Sequence, residues 1–222
     1  MSSRSDIGVL GGTAGLGKAL ALRLVKSGCR VSIGSRSLDR ALAAAKEVND
    51  RVGGELAIGD VNENVAASSD IVFFAIPFIG VYELARKIKT KIRDGGVAVS
   101  CMVPLESDMG GSLEYFEPSG GSAAETLQNL LGQHVKVVSA LTYMPTYALE
   151  DIERPVECDV AVCGEREPSK KVMEVLSLIE GVRPLYAGAL KYSRITERLT
   201  VLLIRLNKEY CSDRAGLRFT YI

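Results

Sequence analysis

The sequence predicts an α/β fold: a doubly wound parallel sheet with helices on both faces. Two observations carry this. Strand-like and helix-like segments alternate strictly from residue 7 to residue 141, and the strongest strand, Asp70-Ile71-Val72-Phe73-Phe74-Ala75-Ile76, is apolar at every position after its first. Strict alternation implies right-handed crossovers between parallel strands. A continuous apolar run is expected where helices cover both faces of such a sheet.

The elements follow in order. Ile7-Gly8-Val9-Leu10 is a short apolar run that ends in glycines, which suits a buried first strand. From Leu16 onward, Ala19, Leu20, Leu22, Leu24 and Val25 form one broad helical face that stops at Ser27-Gly28. Residues 31–33 read as a second strand and 38–48 as an alanine-rich helix, and 56–58 form a third strand leading to Asp60 and Asn62. The strong fourth strand is followed by a helix over about 81–92 and a strand at 97–100. Residues 104–121 are rich in Gly and Ser, and long enough for a mobile loop or lid. Ser122-Ala123-Ala124-Glu125 has the form of a capping box and opens another helix. Residues 135–141 supply a further strand. Beyond Pro145 the pattern changes to a strand at 159–163, a helix at 169–179, an extended segment at 182–186 and a final amphipathic helix at 195–206. The expected organisation is a main domain over 1–150 and a small C-terminal α/β capping subdomain over 151–222. No internal repeat or low-complexity tract interrupts it.

Composition narrows the function classes. The chain has 222 residues, 47% of them hydrophobic, with 27 basic and 27 acidic side chains. Such balance leaves no electrostatic footprint for nucleic acid or an acidic membrane surface. Residues 1–6 carry no apolar stretch of signal-peptide type, and the longest apolar run is broken at Pro77, too short to span a bilayer. A soluble cytoplasmic protein is expected. The five cysteines, at 29, 101, 158, 163 and 211, have no repeated spacing and read as buried free thiols, while the single histidine, His134, reads as a solvated turn residue. Neither a metal site nor a histidine-dependent triad has enough to build on.

The informative segment is Gly11-Gly12-Thr13-Ala14-Gly15-Leu16-Gly17-Lys18, set between the first strand and the first helix. Glycines permit a tight turn and a close approach of backbone to a pyrophosphate, and the helix N-terminus offers free N–H groups to that anion. Three phosphate-loop patterns overlap here. Gly12 to Lys18 fits G-x-x-x-x-G-K, but Ala19 stands where Ser or Thr would have to hold magnesium. Gly11, Gly15 and Gly17 fit the short-chain dehydrogenase spacing, yet no tyrosine has a lysine four residues on. The third form is G-x-A-x-x-G at Gly12, Ala14 and Gly17, a dinucleotide-binding, Rossmann-type fingerprint; the bland alternative is a glycine turn with no ligand.

The end of the second strand sets the cofactor. An NAD site places an acid there for the ribose hydroxyls. This chain has Gly34-Ser35-Arg36, with Arg40 one helical turn on. A hydroxyl and an arginine fork suit a 2′-phosphate, so NADP(H) is expected, against the alternative of a solvated basic loop.

Together these residues resemble a known family, the F420-dependent NADP oxidoreductases, which reduce or oxidise a deazaflavin coenzyme. The segments that carry the resemblance are VLGGTAGLGKALALRL, IGSR, DIVFFAIP, GSAAE, VVSAL, DVAVCG and GVRPLYAG, in family order over nearly the whole chain. The resemblance implies that Thr13, Gly15 and Leu16 cradle pyrophosphate and that Ser35, Arg36 and Arg40 take the 2′-phosphate. It also implies that Ile76, Pro77, Val103 and Pro104 form the nicotinamide-side wall, with coenzyme F420 as co-substrate. The sequence departs from the family at Ala14, usually glycine, at Thr142, commonly histidine in the deazaflavin pocket, and at Tyr186, usually acidic.

Hydride transfer between two rings requires them to be held face to face at about 3–3.5 Å in a site that excludes water. No catalytic acid or base is therefore expected. Thr142, Met144 and Pro145 are the candidate substrate-side residues, with Tyr143 and Tyr147 as possible borders; strand-end packing is the alternative for the apolar ones. Two other functions stay open at this point: an NADPH reductase of another acceptor (flavin, imine or ketone) and a non-catalytic NADP-binding module. The apolar face of the final helix (Ile195, Leu199, Leu202, Leu203, Leu206) suits either its own domain or a second copy of the chain, so a homo-oligomer is one expectation.

Overall fold

A computed structural model describes residues 6–222. The reading of residues 1–5 as lacking a leader lies outside the described residues. Eight strands form one sheet in the order β3-β2-β1-β4-β5-β6-β7-β8. The strands are β1 (Ile7–Leu10), β2 (Val31–Ser35), β3 (Ala57–Val61), β4 (Ile71–Phe74), β5 (Val97–Ser100), β6 (Lys136–Ser139), β7 (Cys158–Cys163) and β8 (Val182–Gly188). The first six pair parallel throughout, in the strand order of doubly wound nucleotide-binding sheets.

The two faces of this sheet carry two separate cores. Neighbouring residues of β4 show why its run is continuous: Phe73 packs on one face and Phe74 on the other, both fully buried. The first face is covered by α1 (Gly15–Lys26), α2 (Leu38–Val52), α6 (Thr146–Glu150) and α7 (Arg166–Leu176). The second is covered by α3 (Asn62–Ser68), α4 (Val81–Ile88) and α5 (Ala123–Leu131). The last helix, α8 (Ser193–Glu209), buries Ser193, Thr196, Glu197 and Leu203.

Local chemistry sets the helix ends. Ser37 caps α2 by accepting from the Arg40 N–H, and Gly53 ends it in the left-handed region at φ 72°. The expected cap of α5 forms, the Ser122 hydroxyl accepting from the Glu125 N–H at 3.0 Å. Two helices escape the sequence pattern, α3 and α6, because at seven and five residues neither is long enough to show a full amphipathic stripe.

The sheet does not stay parallel to its far edge: β7 runs antiparallel to β6 through one bridge, Ser139 to Cys163, and β8 is parallel to β7. With that register, the start of β7 projects beyond the C-terminal end of β6, so residues 151–222 extend the sheet and rise past its rim. Not all the cysteines are buried thiols either. Cys29, Cys101, Cys158 and Cys163 are buried, but Cys211 is exposed because it follows the end of α8. His134 is exposed, its ring nitrogen 2.9 Å from the Lys89 carbonyl.

The Gly/Ser-rich stretch 104–121 has its own order. It holds a 3₁₀ turn at Glu106–Met109 and a bridge between Leu105 and Tyr115. Its acids pair with α8, Glu117 with Arg198 at 2.6 Å and Glu114 with Arg205 at 2.8 Å. On α8, Leu203 is buried and Leu199 packs against the core, whereas Ile195 and Leu202 are 61% and 48% exposed.

A buried arginine joins the first helix to the far part of the chain. Arg23 of α1 donates through Nε to the Leu149 carbonyl at 2.8 Å, and through Nη2 to the carbonyls of Ala148, Asp151 and Arg154. Burial pulls its pKa down, while these carbonyls take the Nε and Nη2 hydrogens. Arg23→Ala would leave several carbonyls unpaired in a closed space. We expect it to cost about 3 kcal/mol of unfolding free energy, read from the urea midpoint.

Candidate active site

The C-terminal ends of β1, β4 and β5 open onto a cavity of about 770 Å³, walled on its far side by Thr200 of α8. Its floor is the glycine turn. Gly11, Thr13, Ala14, Gly15 and Leu16 line it. Gly15 has φ +51°, and a β-carbon there would meet nothing within 4 Å, so this backbone faces open space. Gly12 and Gly17 lie beneath the lining and are buried. A β-carbon on Gly17 would stand 2.6 Å from the Gly11 carbonyl oxygen, so α1 seats against the turn only because that carbon is missing. Ala14, at the middle position of the fingerprint, has extended backbone at φ −158°, which any residue can adopt. It is the N-cap of α1 and has no side-chain hydrogen bond, which leaves the first N–H groups of the helix free for an anion.

The second wall is the end of β2. Ser35 and Arg36 reach the cavity with Arg40, and neither arginine enters an ion pair among the described residues. Asn62, Glu63, Glu83 and Lys87 complete this end. Glu83 is held below its ordinary pKa by its hydrogen bond from Lys87, with a smaller contribution from Arg36.

The third wall lies at the ends of β4 and β5. Ala75, Ile76 and Pro77 lead into a 3₁₀ turn, Phe78–Gly80, whose first N–H donates to Asp108 at 3.2 Å. Cys101, Met102, Val103 and Leu105 continue the wall, while Pro104 is buried outside the lining. Burial pushes the Cys101 thiol far up, so it is unsuited to act as a nucleophile. Among the described residues no group of three or more His, Cys, Asp or Glu side chains could hold a metal ion.

The substrate-side candidates stand elsewhere. Thr142, Met144 and Pro145 are buried and do not line the cavity. Thr142 instead fastens α8: its hydroxyl donates to the Thr196 carbonyl at 3.2 Å, and its carbonyl accepts from the Thr200 hydroxyl at 3.0 Å. It stands behind Thr200, which faces the cavity in its place. Tyr143 is equally structural, its hydroxyl accepting from the Ala161 N–H at 2.8 Å and its pKa pushed up to about 12 by burial. Tyr147 is exposed, and Tyr186 stacks under Arg166 at 5.0 Å. Thr200 was beyond sequence reasoning because α8 returns to the cavity from a hundred residues downstream. Asn62 was visible only as a polar residue after the third strand.

The chain is 39% identical over 220 residues to the F420-dependent NADP reductase of Methanocaldococcus jannaschii, covering 96% of this chain and 97% of the relative. The chain belongs to the F420-dependent NADP reductases. The F420-dependent NADP reductase of Methanothermobacter thermautotrophicus is 35% identical, over 96% of this chain and 94% of its own length. The family described as "NADP oxidoreductase coenzyme F420-dependent" matches residues 6–104, the stretch from β1 to the end of the β5 wall. A solved structure from Arthrobacter sp. FB24 superposes with a TM-score of 0.80 at 22% identity, over 97% of this chain and 99% of its own. It supports the Rossmann-type fold. No helix among the described residues is long and apolar enough to cross a membrane.

In this reductase the wall helix α8 is docked through a buried carboxylate. Glu197 accepts from the Ala123 and Ala124 N–H groups at the start of α5, at 2.9 and 3.2 Å, and from the Tyr115 hydroxyl at 3.4 Å. Burial outweighs these bonds and pushes its pKa from 4.5 up to about 7. Between those values the folded carboxyl keeps a proton that the unfolded one has lost, so stability falls as pH rises across that window. We expect Glu197→Gln to flatten this slope, removing on the order of 2–3 kcal/mol of pH-dependent change, as checked by urea midpoints from pH 4 to pH 8.

Proposed function

We propose that this reductase binds NADP(H) along the cavity floor and passes hydride to or from coenzyme F420 beside Thr200. The observation that carries the residue assignment is the joint presence of an uncapped helix N-terminus, a glycine with open space above it and two unpaired arginines along one cavity. The chemistry belongs to the coenzymes, with nicotinamide and deazaflavin exchanging one hydride.

The chain supplies binding, orientation and dryness. The N–H groups at the start of α1 and the turn at residues 13–16 hold the pyrophosphate. Ser35, Arg36 and Arg40 hold the 2′-phosphate with charge-assisted hydrogen bonds. Ile76, Pro77 and Val103 provide flat apolar contact for the nicotinamide, with Met102 beside them. Thr200, oriented by its bond to the Thr142 carbonyl, borders the acceptor side. No side chain has to gain or lose a proton, in keeping with the buried, inert thiol of Cys101 on the wall.

Mixing the protein with NADPH and oxidised F420 should bleach the nicotinamide band and the deazaflavin band together. NADPH oxidation with flavin alone, or tight NADPH binding with no oxidation, would overturn the assignment of the acceptor. Arg36→Glu should raise the KM for NADPH roughly 100-fold, from one lost contact of about 1.5–3 kcal/mol plus repulsion, and that for NADH only a few-fold. Equal losses would show Arg36 to be a solvated loop residue.

A further inference from the structure

We propose that Asn62 is a further selectivity residue for NADP(H), its side-chain amide donating to the 2′-phosphate beside Ser35 and Arg36. This rests on the reading that the cofactor's adenosine half occupies that end of the cavity. Parallel pairing sets Ser35 opposite Val61, which puts Asn62 one residue past the paired ends of β2 and β3. Asn62 lines the cavity yet is only 5% exposed, and its Oδ1 is buried with no hydrogen-bond partner among the described residues. A buried amide left in that state is unfavourable, and an apolar side chain of similar size would avoid the cost.

The neighbouring strand is shaped to admit it. A β-carbon on Gly34 would stand 2.6 Å from Asn62 Oδ1 and 2.9 Å from Leu10 Cδ2. Any other residue at 34 would displace the amide. Asp60, the acid of this corner on the paired strand, is turned away and occupied: its Oδ1 accepts from the Val61 N–H at 2.7 Å and from Asn64 Nδ2 at 3.0 Å.

Of the two amide atoms it is Nδ2 that keeps access to solvent, with no partner among the described residues, so the group already presents a donor to whatever enters. A phosphate dianion only accepts, so it selects the N–H. A carboxylate of the same size at this position would repel it and would favour a ribose with two free hydroxyls, as acids do in NAD sites. Asn62 thus adds a donor without adding a further carboxylate to an end that already holds Glu63 and Glu83 beside the arginines.

The test is calorimetric titration of the full chain and two variants with adenosine 2′,5′-bisphosphate and with 5′-AMP. Asn62→Asp should weaken the bisphosphate by roughly 10–100-fold and 5′-AMP by less than about 3-fold. Asn62→Ala, which removes the unpartnered atom and should melt no lower than the parent, should weaken the bisphosphate by roughly 10-fold with the same indifference to 5′-AMP. Parallel loss of both nucleotides in the alanine variant would mark a structural role and overturn the proposal, as would unchanged affinity for the bisphosphate in either variant. If the parent protein itself binds neither nucleotide, the assignment of the cavity fails first; if it binds the bisphosphate and both variants match it, only Asn62 is wrongly assigned.

Discussion

The approach of Gly17 to the carbonyl of Gly11, too close for any β-carbon between them, is the contact on which the architecture turns. It lets α1 begin directly over the end of β1, so that its first N–H groups point into the space beyond the sheet. Had that helix stood off by the width of a methyl group, the turn at residues 13–16 could not present bare backbone to the same point. The pairing of β1 with both β2 and β4 then fixes the distance from this turn to the ends of those strands. The arginine corner at one end and the apolar wall at the other are therefore set by sheet geometry, with the loops adding detail.

Features governed by consecutive residues were legible in the sequence. The glycine turn, the missing acid after β2, the serine cap of α5 and the apolar run of β4 each state their constraint within a few positions, and the structure places them accordingly. Features governed by distant contact were not. The apolar run of β7 reads the same in either direction, and its reversal follows from how the chain returns after α6. The surroundings of Thr142 were not legible for a related reason: a threonine after a strand end signals nothing about whether it faces a cavity or a helix, and here α8 packs against it. The stretch 104–121 looked unstructured because its internal bridge joins residues ten apart without a regular apolar pattern, and its ties to α8 come from arginines some eighty to ninety residues away.

The last seventy residues thus have a definite physical role. By rising past the rim at β7 and sending α8 back across it, they add a wall at Thr200 to a cleft that is otherwise built from the ends of the parallel strands. The ties that keep α8 in place are of different kinds: a buried carboxylate on the N–H groups of α5, a buried serine pair at Ser193 and Ser122, and exposed ion pairs to the 104–121 stretch. The exposed pairs contribute little each in water, so the buried contacts carry most of the docking.

The guanidinium of Arg23 has a consequence beyond stability. It sits in the last turn of the helix whose opening turn is proposed to hold the pyrophosphate, and it clasps four carbonyls of the chain that leads into the rim strands. Because α1 is a single hydrogen-bonded rod, anchoring one end restrains the other before any coenzyme arrives. An anion bound at that turn would then cost the protein little motional freedom.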